Sequence, residues 1–309
     1  MTSREVAEAE PSTWLNQRER GAVFAIRGLA FWATVFGRGP ARLVVRMIAL
    51  YYALFDRVAV RASRAWLTVV RGESPSFRHV YSHILSFAQV TLDRLFLLRR
   101  ATRGIEVERT GSEHLEALTR EGRGAILLGA HLGSFEAMRA SGHAERFPVH
   151  IVGHFENAKM INAVLEELDP EMAGRVVHVG RDPVGLALTL RERVEAGGLL
   201  ALLADRVGLN DKSVEVTFFG RPASFPTGPF LLASALKCPV LLVFGLYFEP
   251  NRYELFCEPF AERVILPRRE RQEALARLVQ AYAARLEAYA RRAPYNWFNF
   301  YDFWETRPR

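Results

Sequence analysis

From Gly104 onward, short apolar runs alternate with stretches of helical spacing, and that alternation leaves few architectures open. The runs are Gly124–Gly129, Val149–Gly153, Val176–Val179, Leu199–Ala204, Val214–Phe218, Val240–Phe248 and Tyr253–Cys257. Between them, Phe135–Ser141, Ala158–Leu168, Val184–Ala196 and Phe230–Leu236 repeat their apolar residues at helical period. Apolar strands separated by helices predict an α/β fold, here a mixed, mostly parallel sheet with helices on both faces. A last helix, about Arg268 to Arg292, aligns Leu275, Leu278, Val279, Tyr282, Leu286 and Tyr289 on one stripe.

The first third of the chain is different. Residues 1–110 hold 17 Arg or Lys against 9 Asp or Glu, whereas the remainder is balanced at 24 against 25. The excess positive charge therefore lies in a segment also rich in Trp, Phe, Tyr and Leu, a pattern suited to a membrane surface or to nucleic acid. Nucleic acid is disfavoured: there is no zinc-finger spacing and no RNP-like run, and Lys occurs only at 159, 212 and 237. The apolar run Gly21–Phe36 is interrupted by Arg27, and a central Arg costs about 2.5–3.5 kcal/mol on insertion scales. Ala41–Val70 repeats the theme, with Leu43, Met47, Leu50, Tyr51 and Leu54 at helical spacing beside Arg42, Arg46, Arg57, Arg61 and Arg64. Amphipathic helices are predicted, lying against one leaflet or covering the core. In the leaflet reading Arg27, Arg46, Arg57 and Arg61 reach phosphates, while Trp14, Trp32, Tyr51 and Trp66 anchor at the interface. Phe77–Leu98 is helical again, and Gly104 marks the break. The expected division is thus a membrane-associating helical segment, 1–103, and an α/β domain, 104–309. Residues 1–12 show no signal-peptide pattern, and the two cysteines, Cys238 and Cys257, fit a reducing compartment.

One stretch carries chemistry: Gly124-Ala-Ile-Leu-Leu-Gly-Ala-His131-Leu-Gly-Ser-Phe-Glu136. An apolar strand ends at His131, Gly133 and Ser134 permit a tight turn, and Ser134 can cap a helix beginning at Phe135. His131 and Glu136, five residues apart, cannot meet on one helix. A strand-end histidine can face a carboxylate in the following helical turn, at the sheet edge where open α/β folds bind ligands. An imidazole held that way is a general base near neutral pH. A histidine followed by a glutamate is also common without any catalytic role. No metal-ligand cluster surrounds His131. Ser134 lacks the flanking glycines of a nucleophile elbow, with Leu132 and Glu136 in their places. Neither a G-x-G-x-x-G fingerprint nor a Walker A motif is present, so no cofactor is expected.

His131-Leu-Gly-Ser-Phe-Glu136 resembles the His-x4-Asp/Glu block of the lysophospholipid acyltransferase superfamily, most closely its bacterial lipid A biosynthesis (lauroyl/myristoyl) acyltransferase-like branch. A second block agrees in order: Asp205-Arg206, then Phe218-Phe219-Gly220-Arg221-Pro222-Ala223, then Pro226-Thr227-Gly228-Pro229. The resemblance covers roughly residues 105–304. It implies transfer of a fatty acyl chain from acyl-carrier protein or acyl-coenzyme A to a hydroxyl or amine of a lipid, with His131 as base and Glu136 orienting it. The basic, apolar N-terminal segment predicts a protein on the cytoplasmic face of a bacterial inner membrane, where thioester donors are made, peripheral or monotopic on an anionic surface, with a single span at Gly21–Phe36 as the alternative. Where the lipid A branch carries an Arg before Asn-Pro-Leu, this chain has His154 before Phe155-Glu-Asn157-Ala. That departure points to another acceptor, such as an aminolipid or pigment lipid.

Other residues keep two readings. Asp205 is a site residue or a polar strand end, and Arg206 pairs with a phosphate or with Asp211. Thr227 and Gly228 begin a helix whose free N–H groups can bind phosphate or oxyanion, or they merely form a turn. The aromatic Pro294–Trp304 is a channel wall, an interface belt or a core-docking tail. Two further functions use the same residues: a catalytically silent lipid-binding or scaffold relative, and a thioesterase-like hydrolase in which the His/Glu pair activates water.

Overall fold

The computed structural model describes residues 32, 33, 35–99, 102–144, 147–153, 175–179, 183–208 and 211–304. Gly21–Phe36 lies almost wholly outside them, as do Trp14, Arg27, His154 and the expected helix Ala158–Leu168. Among the described residues, helical positions at 32–33 and 35–36 precede α1 (Arg38–Phe55), α2 (Arg57–Arg71) and α3 (Phe77–Leu98). Then follow β1 (Glu106–Thr110), α4 (Ser112–Arg120), β2 (Ala125–Gly129), α5 (Phe135–Ala144), β3 (Val149–Gly153) and β4 (Val176–His178). The chain continues through α6 (Pro183–Glu195), β5 (Leu199–Leu203), β6 (Ser213–Phe218), β7 (Arg221–Pro226) and α7 (Gly228–Leu236). It closes with β8 (Val240–Phe248), β9 (Arg252–Ala261), α8 (Arg271–Arg292) and a 3₁₀ turn at Pro294–Asn296.

Seven strands form one sheet in the order β1-β9-β8-β2-β5-β3-β4. Only the β8–β9 pair is antiparallel, so the sheet is mixed and mostly parallel, as the alternating pattern predicted. The central strands β2 and β5 are apolar throughout because both faces are covered. Ile126, Leu128, Leu200 and Leu202 face a core with Trp66, Val80, Phe230, Tyr282 and Leu286. Ala125, Leu127, Leu199 and Ala201 face a second core with Leu115, Phe135, Met138 and Phe147. β6 and β7 make a separate hairpin. Its two-residue turn uses positive φ at Phe219 (52°) and Gly220 (72°), the geometry that matches strand twist in tight hairpins.

The N-terminal helices join the sheet's own core. Val80, Ile84 and Leu85 of α3 pack with the central strands, and α1 is pinned by buried charge. Arg38 forks onto Asp93 of α3 (2.6 and 2.7 Å), which also accepts from Tyr253 Oη (2.8 Å). Arg42 is buried as well, bonded to Glu249 and the Pro250 carbonyl. Arg42 therefore does not line a solvent-facing stripe. Trp66, expected at a membrane interface, is also interior: it is 2% exposed, donates Nε1–H to the Pro294 carbonyl (2.7 Å) and stacks on Trp297. The opposite face of α1 leaves Leu43, Met47, Leu50, Tyr51, Leu54 and Phe55 exposed. Among the described residues, no helix is long and apolar enough to cross a membrane.

His83, fully buried on α3, ties three elements together. A carbonyl only accepts, so Nε2–H donates to Trp297 O (2.6 Å) and Nδ1 accepts from Ser63 Oγ (2.9 Å). Burial lowers its pKa from 6.5 to about 4, against the opposing bond to Trp297. Between those values the unfolded chain binds a proton that the folded chain refuses, so stability is lost as pH falls through this window. The loss attributable to His83 is about 3 kcal/mol. Chemical denaturation of the wild type and of His83→Gln from pH 7 to pH 4 checks this: the stability difference between them should change by that amount. A pH-independent difference would refute it.

Candidate active site

Three of the expected site residues meet at the C-terminal edge of the central strands. β2 and β5 are parallel neighbours in register, Gly129 opposite Leu203, and His131 and Asp205 each follow two residues later. Adjacent parallel strands lie about 4.8 Å apart, so the two side chains come within bonding reach. His131 Nδ1–H donates to Asp205 Oδ1 (2.9 Å), and the His131 backbone N–H donates to Asp205 Oδ2 (3.1 Å).

The structure thus puts Asp205, not Glu136, on the imidazole Nδ1. Glu136, in the first turn of α5, instead forms an ion pair with Arg94 of α3 (2.8 Å). The cause is the register: Asp205 is delivered on the neighbouring strand, while the turn after His131 carries Glu136 onto α3. That turn is tightly built. Gly133 has φ +73°, and a Cβ there would lie 1.9 Å from the Gly245 carbonyl oxygen. Ser134 donates its N–H to that same carbonyl (2.7 Å) and caps α5 by accepting from Ala137 N–H (3.0 Å).

The aromatic tail closes the site from the other side. Gly133 N–H donates to Asn296 O (2.8 Å), and Phe298 N–H donates to His131 O (2.9 Å), so the tail pairs with the histidine loop as a short strand would. Asn296 uses both ends of its amide on the Tyr247 backbone (2.6 and 2.9 Å). Asn299 donates Nδ2–H to Asp205 Oδ2 (2.9 Å) and accepts from Arg206 Nε. Arg206 also donates to Phe298 O (3.1 Å) and lies over the Tyr301 ring. Asn296 and Asn299 carry no local sequence signal: they are isolated amides in an aromatic run, and only the folded tail gives them their partners.

The electrostatics follow from burial. Asp205 is fully buried, which opposes ionisation, yet His131, Arg206 and Asn299 outweigh that and hold its carboxyl well below the usual range. The His131 side chain retains 29% exposure. Burial first, then the Arg206 guanidinium, push its pKa below 6.5, and Asp205 only partly counters them. The imidazole is therefore neutral at pH 7, with its proton on Nδ1 and a lone pair on Nε2.

Thr227 and Gly228 stand elsewhere, at the junction of the hairpin and α7. Thr227 directs both its N–H and its hydroxyl to the Lys212 carbonyl (2.9 Å each). They are not brought into hydrogen-bond contact with the His131–Asp205 pair by any bond seen among the described residues. A small apolar cleft lies beneath α4 and α5 and is lined by Leu115, Leu127, Phe135, Met138, Ala201 and Val243, among others. Strand alternation puts Leu127, Gly129 and His131 on one side of β2, and Ala201, Leu203 and Asp205 on the same side of β5. His131 is outside the cleft, two pleats beyond the wall residue Leu127. Among the described residues no cluster of metal-ligating side chains occurs.

With this geometry in hand, the comparisons give a clear family. The family model for bacterial lipid A biosynthesis acyltransferases matches residues 77–306, and the chain belongs to that family. Comparison with curated proteins gives no match. The match begins at the first residue of α3 and spans the histidine loop, Asp205-Arg206 and the aromatic tail. It carries the class of activity: acyl transfer in lipid biosynthesis.

The Gly133 turn yields a direct test. Gly133→Ala should strain the backbone and strike the Gly245 carbonyl, displacing His131 from Asp205. Destabilisation of about 1–3 kcal/mol is expected, together with loss of activity. A variant as stable and active as the parent would show that the loop relaxes freely.

Proposed function

We propose that the protein transfers a fatty acyl chain from an acyl thioester, acyl-carrier protein or acyl-coenzyme A, to a hydroxyl or amine of a lipid acceptor, with His131 as general base. The observation that carries this reading is the neutral imidazole whose Nδ1–H is held by an ionised, buried Asp205. Nε2 takes the acceptor's proton as its oxygen or nitrogen attacks the thioester carbonyl. The tetrahedral intermediate then collapses with cleavage of the C–S bond, and the departing thiolate takes the proton back from the imidazolium. Asp205 stabilises the imidazolium formed between the two steps. Glu136, fixed by Arg94, contributes negative charge from the first turn of α5. Gly228 is assigned to substrate phosphate at the start of α7, with Thr227, both of whose donors are taken by the Lys212 carbonyl, shaping that turn, and Arg206 contributes positive charge beside the pair.

The cleft under α4 and α5 is the proposed seat of the acyl chain, since each CH₂ buried there is worth about 0.8 kcal/mol. The protein is further proposed to sit peripherally on the cytoplasmic face of a bacterial inner membrane. The exposed apolar face of α1 would enter the leaflet, with Arg57, Arg61 and Arg64 of α2 meeting anionic headgroups.

Measurements of activity, chain-length preference and membrane binding test these assignments. His131→Ala and Asp205→Asn should each lower acyl transfer by about 10²–10⁴-fold and combine far less than additively. Because the folded pKa of His131 lies below 6.5, wild-type kcat/KM should stay flat down to that pH and fall only below it. Thioester hydrolysis at the same rate with and without lipid acceptor would replace transfer by a hydrolase reading. Ala201→Phe, which narrows the cleft, should shift preference to shorter donor chains; an unchanged chain-length profile would place the acyl group elsewhere. For the membrane, Leu43→Glu/Met47→Glu should abolish cosedimentation with vesicles containing anionic lipid. In the parent, high salt should weaken that binding only in part.

A further inference from the structure

We propose that Asn299 is a positioning residue: its amide separates Asp205 from Arg206 and so reserves the carboxylate for the imidazole. The proposal rests on His131 being the base, as set out above. Asp205 and Arg206 are consecutive and opposite in charge, Asp205 fully buried and Arg206 half-buried, and in a poorly solvated site such neighbours attract strongly. The buried Asn299 side chain engages both of them: Nδ2–H donates to Asp205 Oδ2 (2.9 Å), and Oδ1 accepts from Arg206 Nε. Its orientation is set chemically, because a carboxylate only accepts and a guanidinium only donates. A flipped amide would set like against like at both ends.

The result is a division of the carboxylate. Oδ1 takes the imidazole Nδ1–H, while Oδ2 takes the His131 backbone N–H and the Asn299 amide. Asn299 is also fixed relative to the loop it serves, because the preceding residue, Phe298, donates its N–H to the His131 carbonyl (2.9 Å). Among the described residues, the charged and titratable groups that act on the pair are Arg206, from the same loop as Asp205, Tyr282 from α8 and Tyr301 from the tail; Glu136 is engaged by Arg94. Burial keeps both phenols protonated. Arg206 is thus the nearby cation able to compete with His131 for Asp205. Without the amide, Arg206 Nε loses its acceptor and Asp205 Oδ2 loses a donor, and the two can close on each other.

The test is an NMR titration of the His131 imidazole nitrogens in the full chain, run beside pH–rate profiles. In Asn299→Ala the His131 pKa should fall and the acid limb of kcat/KM should move to lower pH. kcat should drop on the order of 10–10²-fold, with KM for the thioester donor unchanged. Asn299→Asp, nearly isosteric and so usable if the alanine variant folds poorly, adds a second carboxylate and should move the pKa upward. The decisive comparison is in the Arg206→Ala background, where Asn299→Ala should leave the His131 pKa in place. An equal shift in both backgrounds, or none in either, overturns the proposal. The titration reports on the pair whether or not transfer is measured. Shifts as expected in a chain without acyltransferase activity would sink the proposed reaction and leave the role of Asn299 standing.

Discussion

The in-register parallel pairing of β2 with β5 is the constraint on which the site depends. Neither His131 nor Asp205 belongs to a strand, yet each leaves its strand two residues after a paired position, Gly129 and Leu203. The sheet therefore measures out the distance between them, and little loop entropy remains to be lost in bringing them together. A slip of one residue would turn one of the two side chains to the opposite face. That slip is opposed along the whole strand, because Leu128 would exchange cores with Leu127 if β2 slipped, or Leu202 with Ala201 if β5 did. The precision of the candidate site is thus a property of two apolar cores, and the polar residues inherit it.

The aromatic tail completes what the sheet begins. As a sequence it fitted a channel wall, an interface belt or a docking tail; in the structure Trp297 and Phe303 are buried, and Trp297 stacks on Trp66 of α2. Docking is only part of its role. Its backbone pairs with the loop at Leu132 and Gly133, and its two asparagines reach Tyr247 and Asp205. Through His83, which links Ser63 of α2 to the Trp297 carbonyl, the N-terminal helices hold the tail against the loop. The helices that carry the exposed apolar and basic surface are consequently coupled to the residues around His131 by packed side chains and short hydrogen bonds.

Much of this was legible in the sequence, and the failures have physical causes. β3 and β8 fall where their apolar runs lie, and α3 spans Phe77–Leu98 as its spacing predicts. β1 and α4 were not recognised, because Glu106–Thr110 is an edge strand largely exposed to solvent and α4 buries only Leu118. β7 escaped because Pro222 and Pro226 argue against a strand, whereas a two-stranded hairpin has edges that tolerate them. His131 and Asp205 were both recognisable as strand-end polar residues. Their partnership was not, since adjacency of β2 and β5 is a fact of strand order that no local pattern encodes. Local reasoning favoured Glu136, five residues away, over Asp205, seventy-four residues away. The same limit hid Asn299, whose two hydrogen bonds exist only once the tail has folded back across the sheet edge.

Arg206 lies beside the proposed base, where a cation lowers the basicity of the imidazole. The cost is bounded, because Asp205 counters it from the other side and Asn299 occupies the bond through which the two charges would otherwise neutralise each other. The guanidinium also brings an effect that Asp205 cannot. Thioester acyl transfer builds negative charge on the carbonyl oxygen, and carrier-bound donors and lipid acceptors commonly bear phosphate. A cation held near the base, yet prevented from collapsing onto the carboxylate, favours both kinds of anion. The arrangement keeps a carboxylate, a neutral imidazole and a cation within one small site without letting the two charges cancel. That separation, more than the presence of a histidine, is what distinguishes this edge of the sheet from an ordinary polar strand end.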